Sequence, residues 1–182
     1  MGKKDKIRKK QPVPPAGNIL KLLFMAAGIL LIVFVVILYR KTIINICIPV
    51  GIIFTAAFIA FIARKKGVDS TPPFNGYAPA FMFAILSWGF AACYAFMAIN
   101  YYAAESEVQY YTFKIEERGS LVGSRRQRER RTPTVTINYF GNTKELVFPH
   151  DATQKVNAAQ NVKLFVRRGY FGYDIIERKE VY

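Results

Sequence analysis

Two cysteines, one histidine and one tryptophan in 182 residues leave little with which to build chemistry. Cys47 and Cys93 both fall inside apolar runs, so the polar C-terminal part has neither a disulfide framework nor thiolates for zinc. In those runs they read as small apolar fillers. His150 stands beside Asp151, but no nucleophile or metal partner accompanies the pair at a working spacing, so it reads as a turn and a helix cap. A Gly-rich phosphate loop, a paired-carboxylate site and a His/Cys cluster are all missing. No catalytic, cofactor-binding or metal-binding residue is expected, and no cofactor.

Acid is scarce in the first part of the chain. Residues 1–104 hold 12 Lys/Arg against only Asp5 and Asp69, whereas 105–182 hold 14 Lys/Arg against 10 Asp/Glu. Most of the net charge of +14 therefore accompanies the apolar part, at the ends of its runs. A nucleic-acid binder would gather its charge on a folded face or arm beside stacking aromatics. Charge at the ends of apolar runs instead orients helices and meets anionic lipid headgroups, which argues for lipid and against nucleic acid.

Charge is also missing at mid-depth in three long apolar runs, 19–39, 43–63 and 78–104. Roughly 20 helical residues cross a hydrocarbon core of about 30 Å, so each run is long enough to span. Ion and proton pathways normally need ionisable groups inside such spans, and their absence argues against a pump or transporter. The first run follows a basic tail (1–18) as a secretory signal would, but it is too long for a signal core and ends in Tyr39-Arg40-Lys41 instead of a small-residue cleavage site. Gly2 is followed at position 6 by Lys6, which does not fit a myristoylation motif. In the second run, Pro49 predicts a kink near 45–49, with Asn45 available to cap the freed backbone.

The third run carries a stripe of small residues, Ala80, Ala84, Ser87, Ala91, Ala95 and Ala98, at steps of three and four. Such a stripe lets another helix approach closely, and these six are the candidate helix-packing residues. The inside ends of the spans hold the tail lysines and Arg64, Lys65 and Lys66, and the outside ends hold Arg40, Lys41, Glu105 and Glu107. This bias predicts a cytoplasmic N-terminus and an extracytoplasmic C-terminal domain in a multi-pass protein of the bacterial inner membrane.

After the third run the hydrophobic period changes to two. Residues 108–118, 134–140 and 144–148 alternate apolar and polar, with Gly141-Asn142 as a two-residue hairpin turn. Residues 151–160 predict one or two helical turns capped by Asp151, and 162–166 with 173–177 a second hairpin around 168–172. The expected core is Phe113, Ile115, Val135, Ile137, Val147, Leu164, Val166 and Ile175. The fold class is thus a membrane protein: a basic disordered tail (1–18), three transmembrane helices (19–104), and a small all-β extramembrane domain (105–182). That domain has about five strands, as a sandwich or open barrel.

With its strand at 112–117, charged loop at 119–132, Pro-x-Val-x-Ile-x-Tyr-x-Gly pattern at 133–141 and Val-x-Leu-x-Val pattern at 162–166, the module resembles a bacterial family of membrane-anchored domains of unknown function. The likeness covers about 111–176 and departs at 167–173, which is rich in Gly and aromatics. It implies fold and anchoring, and no catalytic residues.

Arg118, Arg125, Arg126, Arg128, Arg130 and Arg131 are the sharpest local feature, in and beside a Gly/Ser-containing loop. Guanidinium groups grip phosphates and carboxylates bidentately, so these are the candidate anion- or partner-binding residues. Glu129 partly neutralises them, and a solvated loop is the plainer reading. The function expected is a non-catalytic, membrane-anchored accessory or scaffold subunit, packing with a larger membrane complex or a second copy and touching a partner through its β domain. The alternative is a stand-alone module binding anionic lipid or envelope components through the arginine loop. An enzyme acting on lipids ranks last.

Overall fold

The computed structural model describes residues 16–65, 77–121 and 131–182. Most of the basic tail and the loop arginines Arg125, Arg126, Arg128 and Arg130 lie outside the described residues.

Three helical rods come first. α1 spans Ala16–Lys41, α2 spans Cys47–Lys65, and the third is one continuous rod made of α3 (Tyr77–Ala84), a π-turn (Ile85–Gly89) and α4 (Phe90–Tyr102). Two of the rods, α1 over Leu23–Lys41 and the third over Tyr77–Tyr102, are long and apolar enough to cross a membrane, while α2 has a shorter apolar stretch, Cys47–Ala63. Pro49 does not kink the second rod, because the helix begins only at Cys47 and places the proline in its first turn, where no helical hydrogen bond is lost. Asn45 caps that start, accepting the Cys47 N–H at 2.9 Å. Residues 43–46 stand outside the helix.

The rods meet on small residues. A Cβ added at Gly28 would lie 1.7 Å from the Leu86 carbonyl oxygen, and one at Gly89 would lie 2.8 Å from that of Ile53. Glycine is therefore required at both crossings. Both contacts fall on the π-turn, at Leu86 and at Gly89. Ser87 Oγ donates back to Phe83 O at 2.6 Å, and the Phe90 N–H reaches the Ile85 carbonyl five residues earlier. Such a turn inserts an extra residue and rotates everything downstream relative to an unbroken helix. Phe83 and Ala84 are buried before it, Ser87 and Gly89 within it, and Cys93, Met97 and Asn100 after it.

The second unit is a five-stranded antiparallel sheet, ordered β3-β2-β1-β4-β5. Its strands are β1 (Val108–Leu121), β2 (Thr132–Tyr139), β3 (Asn142–Val147), β4 (Asn161–Arg167) and β5 (Ile175–Val181). β1 is shared end to end: Val108–Lys114 pair with β4, Ile115–Leu121 pair with β2, and a bulge lies between Ile115 and Glu117. The sheet coils so that its two edges come within side-chain reach, and Lys179 on β5 donates to the Val147 carbonyl on β3 at 2.5 Å. A 3₁₀ turn (His150–Ala152) and α5 (Thr153–Ala158) connect β3 to β4 and bring Val156 and Ala159 into the core.

That core joins Ile115, Val135, Ile137, Leu146, Phe148, Val156, Val162, Leu164 and Val166. Of the expected core residues, Phe113 is only half-buried and packs against it, while Val147 faces the other side of its strand and leaves Leu146 and Phe148 inside. The first hairpin turns one residue earlier than the sequence suggested, because Tyr139 pairs with Asn142. Phe140 (φ 48°) and Gly141 (φ 90°) are the turn residues, and the Asn138 side chain accepts the Gly141 N–H at 2.7 Å. Asp151 makes no capping bond; Thr153 Oγ1 closes the 3₁₀ turn on the His150 carbonyl at 2.5 Å.

Candidate functional site: the seam between helices and sheet

The connector between α1 and α2 is extended, so neighbouring side chains point to opposite sides. Ile43 enters the core of the sheet, and Ile44 enters that of the helices. The Ile43 N–H donates to Asp174 O at 2.7 Å, and Thr42 pairs with Ile175 as an added bridge on β5. The exchange is mutual, since Tyr173, from the loop between β4 and β5, packs into the helical core.

Asn100, fully buried near the end of α4, organises the other half of the seam. Its Nδ2 donates to Tyr173 O at 3.0 Å and its Oδ1 accepts the Phe171 N–H at 3.0 Å. Its backbone carbonyl takes the Tyr170 N–H at 3.2 Å. The amide fits because Gly169 has no side chain: a Cβ there would lie 2.4 Å from Asn100 Nδ2. Gly172 supplies the positive φ (82°) that closes the turn, its N–H donating to Gly169 O at 2.8 Å. Phe171 stacks on Phe96 with centroids 4.7 Å apart, and Arg167 Nη2 donates to Tyr101 O at 3.2 Å. Each buried amide bond of this kind is worth about 1 kcal/mol, so together they hold the sheet in one orientation on the rods.

Lys144 completes the seam. It is nine-tenths buried, and its ammonium donates to Thr42 O at 2.7 Å and Tyr39 O at 3.1 Å while lying 4.9 Å from the centre of the Tyr39 ring. Burial pulls its pKa down to about 8, with the nearby Lys179 charge acting second, and burial also lowers the pKa of Lys179. Tyr139 is shifted upward, first by burial and then by the Asp174 carboxylate that accepts its hydroxyl at 2.7 Å. A cleft of about 1020 Å³ opens beside Lys144, between the end of α1 and the two sheet edges.

No family model, curated protein or solved structure matches this chain. The resemblance to membrane-anchored bacterial domains is therefore one of pattern alone, and function has to be argued from the seam.

The anion-binding candidates are placed as follows. The Arg118 guanidinium donates to Ala159 O at 2.5 Å, which ties β1 to the end of α5. Arg131 is exposed, and its carbonyl lies 2.9 Å from His150 Nδ1. Arg125, Arg126, Arg128 and Arg130 lie outside the described residues. In the stripe, Ala84 and Ser87 are buried, Ala80, Ala91 and Ala98 are half-buried, and Ala95 is exposed. Among the described residues no group of three His, Cys, Asp or Glu is placed to hold a metal.

Sequence reasoning passed over Asn100, Gly169 and Lys144. Lys144 had a signal, since it alternates in phase with Leu146 and Phe148 and so falls on the inward face of β3.

Proposed function

We propose that this protein is a non-catalytic, membrane-anchored accessory or scaffold subunit, in which three spanning helices present one small β domain at a fixed attitude to a partner outside the bilayer. The observation that carries the reading is the bonded seam, in which Asn100, Ile43 and Lys144 join the sheet to the helix ends. Such a joint suits a protein whose work is to position something. The helix faces support the membrane part, because large apolar side chains such as Leu30, Phe34, Phe58, Met82 and Trp88 point outward while the rods cross on Gly28, Ala57, Ala84 and Gly89. Apolar area of that extent does not stay in water on a monomer. The 19 residues of α2 rise about 28 Å, enough to serve as the third span.

The charge bias at the helix ends favours a cytoplasmic N-terminus and an extracytoplasmic sheet in an inner membrane. The partner we favour is a membrane protein or a second copy of this chain, with anionic headgroups around the helix ends. Purification in mild detergent followed by mass spectrometry is the test. Stoichiometric co-purifying subunits or a stable homo-oligomer are the expected outcome, and a lone monomer at native expression levels sinks the reading. Labelling of single cysteines at Tyr182 and near Met1 from opposite sides of the membrane tests the orientation.

A further inference from the structure

The cleft beside the seam lies between the end of α1 and the two edges of the sheet. Its floor is the gap between the sheet edges, which approach but do not pair, so β3 and β5 are joined there by the Lys179–Val147 contact. One wall is the end of α1 with Val36 and Arg40, and the others carry Val147, Arg178 and the ammonium-bearing strands. At about 1020 Å³ it lies at the upper end of the range for small-molecule sites.

Its charge is unbalanced at the base. Lys144 and Lys179 share the cleft, both substantially buried, and among the described residues neither has a carboxylate within ion-pair distance. Buried ammonium groups are ordinarily paired with an anion. The carboxylates nearby are otherwise placed: Glu177 is held by Arg167 at 2.5 Å, Glu180 by Arg178, and Glu117 and Glu145 are exposed on the rim. Apolar wall, cationic floor and acidic rim together describe a ligand with three parts. We propose that this cleft binds a phosphate ester bearing hydrogen-bond donors, with the phosphate against Lys144 and Lys179 and the donors toward Glu117 and Glu145. The ester has two sources, a lipid headgroup whose acyl part follows Val36 along α1, or a free polyol phosphate. The lipid source rests on the membrane reading above; the phosphate site does not.

The full chain in dodecyl maltoside is titrated by native mass spectrometry with dioctanoyl phosphatidylglycerol, dioctanoylglycerol and glycerol phosphate. Saturable binding of a phosphate probe, no binding of dioctanoylglycerol, and a tenfold or greater loss in Lys179→Gln with recovery in Lys179→Arg are expected. Binding of the lipid without glycerol phosphate assigns the headgroup source, and binding of glycerol phosphate assigns the free ester. Lys144→Met carries a risk of misfolding because it releases two carbonyls, so Lys179→Gln, read against Lys179→Arg, is the deciding variant. If neither phosphate probe saturates, or if Lys179→Gln binds as the parent does, the site is wrong. Alkaline carbonate extraction is run alongside: release of the chain from membranes removes the membrane reading while leaving glycerol phosphate binding to judge the cleft.

Discussion

The helical and sheet parts of this molecule are built by opposite rules. In the sheet the large apolar side chains Ile137, Leu146 and Leu164 are fully buried, and charged residues such as Glu116 and Arg178 face out. In the rods many large side chains, Leu30, Phe58 and Trp88 among them, face out, and Gly28, Ala57, Ala84 and Gly89 are inside beside a few larger ones such as Leu38, Phe83 and Met97. The first pattern is that of a fold in water, and the second suits the membrane setting proposed above. Water drives apolar bulk inward, whereas lipid is indifferent to it and leaves close van der Waals packing to hold helices together. On the membrane reading proposed above, the change of surroundings falls at the seam.

The contrast is sharpest at glycine. Gly28→Val forces a side chain onto the Leu86 carbonyl and is expected to cost at least about 3 kcal/mol, seen as loss of the monodisperse peak in detergent. Gly51→Ala meets nothing within 4 Å and should leave that peak unchanged. Next comes truncation of bulk. Leu164→Ala should lower stability by about 3 kcal/mol, while Phe58→Ala, at a position 56% exposed, should be close to neutral in detergent. Equal losses from the two, measured by thermal unfolding, would mean that the rods have a conventional water-excluded core.

The seam itself yields a smaller effect. Asn100→Ala removes two side-chain bonds and should cost about 2 kcal/mol, with faster amide exchange at Phe171 and no change at Leu164. Unchanged exchange at Phe171 would show that the loop is held by other contacts. The smallest effect is the response to pH. Lys144 has a folded pKa of about 8 against 10.5 in the unfolded chain, so the unfolded state holds more protons between those values and stability rises with pH there. The gain from pH 8 to 10 is on the order of 1–2 kcal/mol, and Lys179 acts in the same direction. Above about pH 10 the unfolded tyrosine at position 139 ionises before the folded one, and the trend reverses. Lys144→Met should flatten the rising limb in a thermal-midpoint series.

Much of this architecture was legible from residue order. The long apolar runs announced the rods and the alternation announced the strands, because burial on one face imposes a period. Single-residue shifts were less legible. The turn moved to Phe140-Gly141 because the pairing of Tyr139 with Asn142 outweighed the turn preference of asparagine, and α2 started late because Ile43 is drawn into the sheet. The seam was almost invisible. Asn100 reads as a polar residue at a helix end, and only the loop 70 residues later gives it partners. That loop lies in 167–173, where the resemblance to the bacterial family broke down.

Ile43 has a bearing on how the chain is made. The pair of helices α1 and α2, with Ile43 between them, leaves the ribosome well before any strand, so a core side chain and a bridging backbone stretch are already in place when β5 arrives. The final strands therefore assemble on a template laid down earlier, and a fragment cut free at Glu105 would have to fold with a hole where Ile43 belongs.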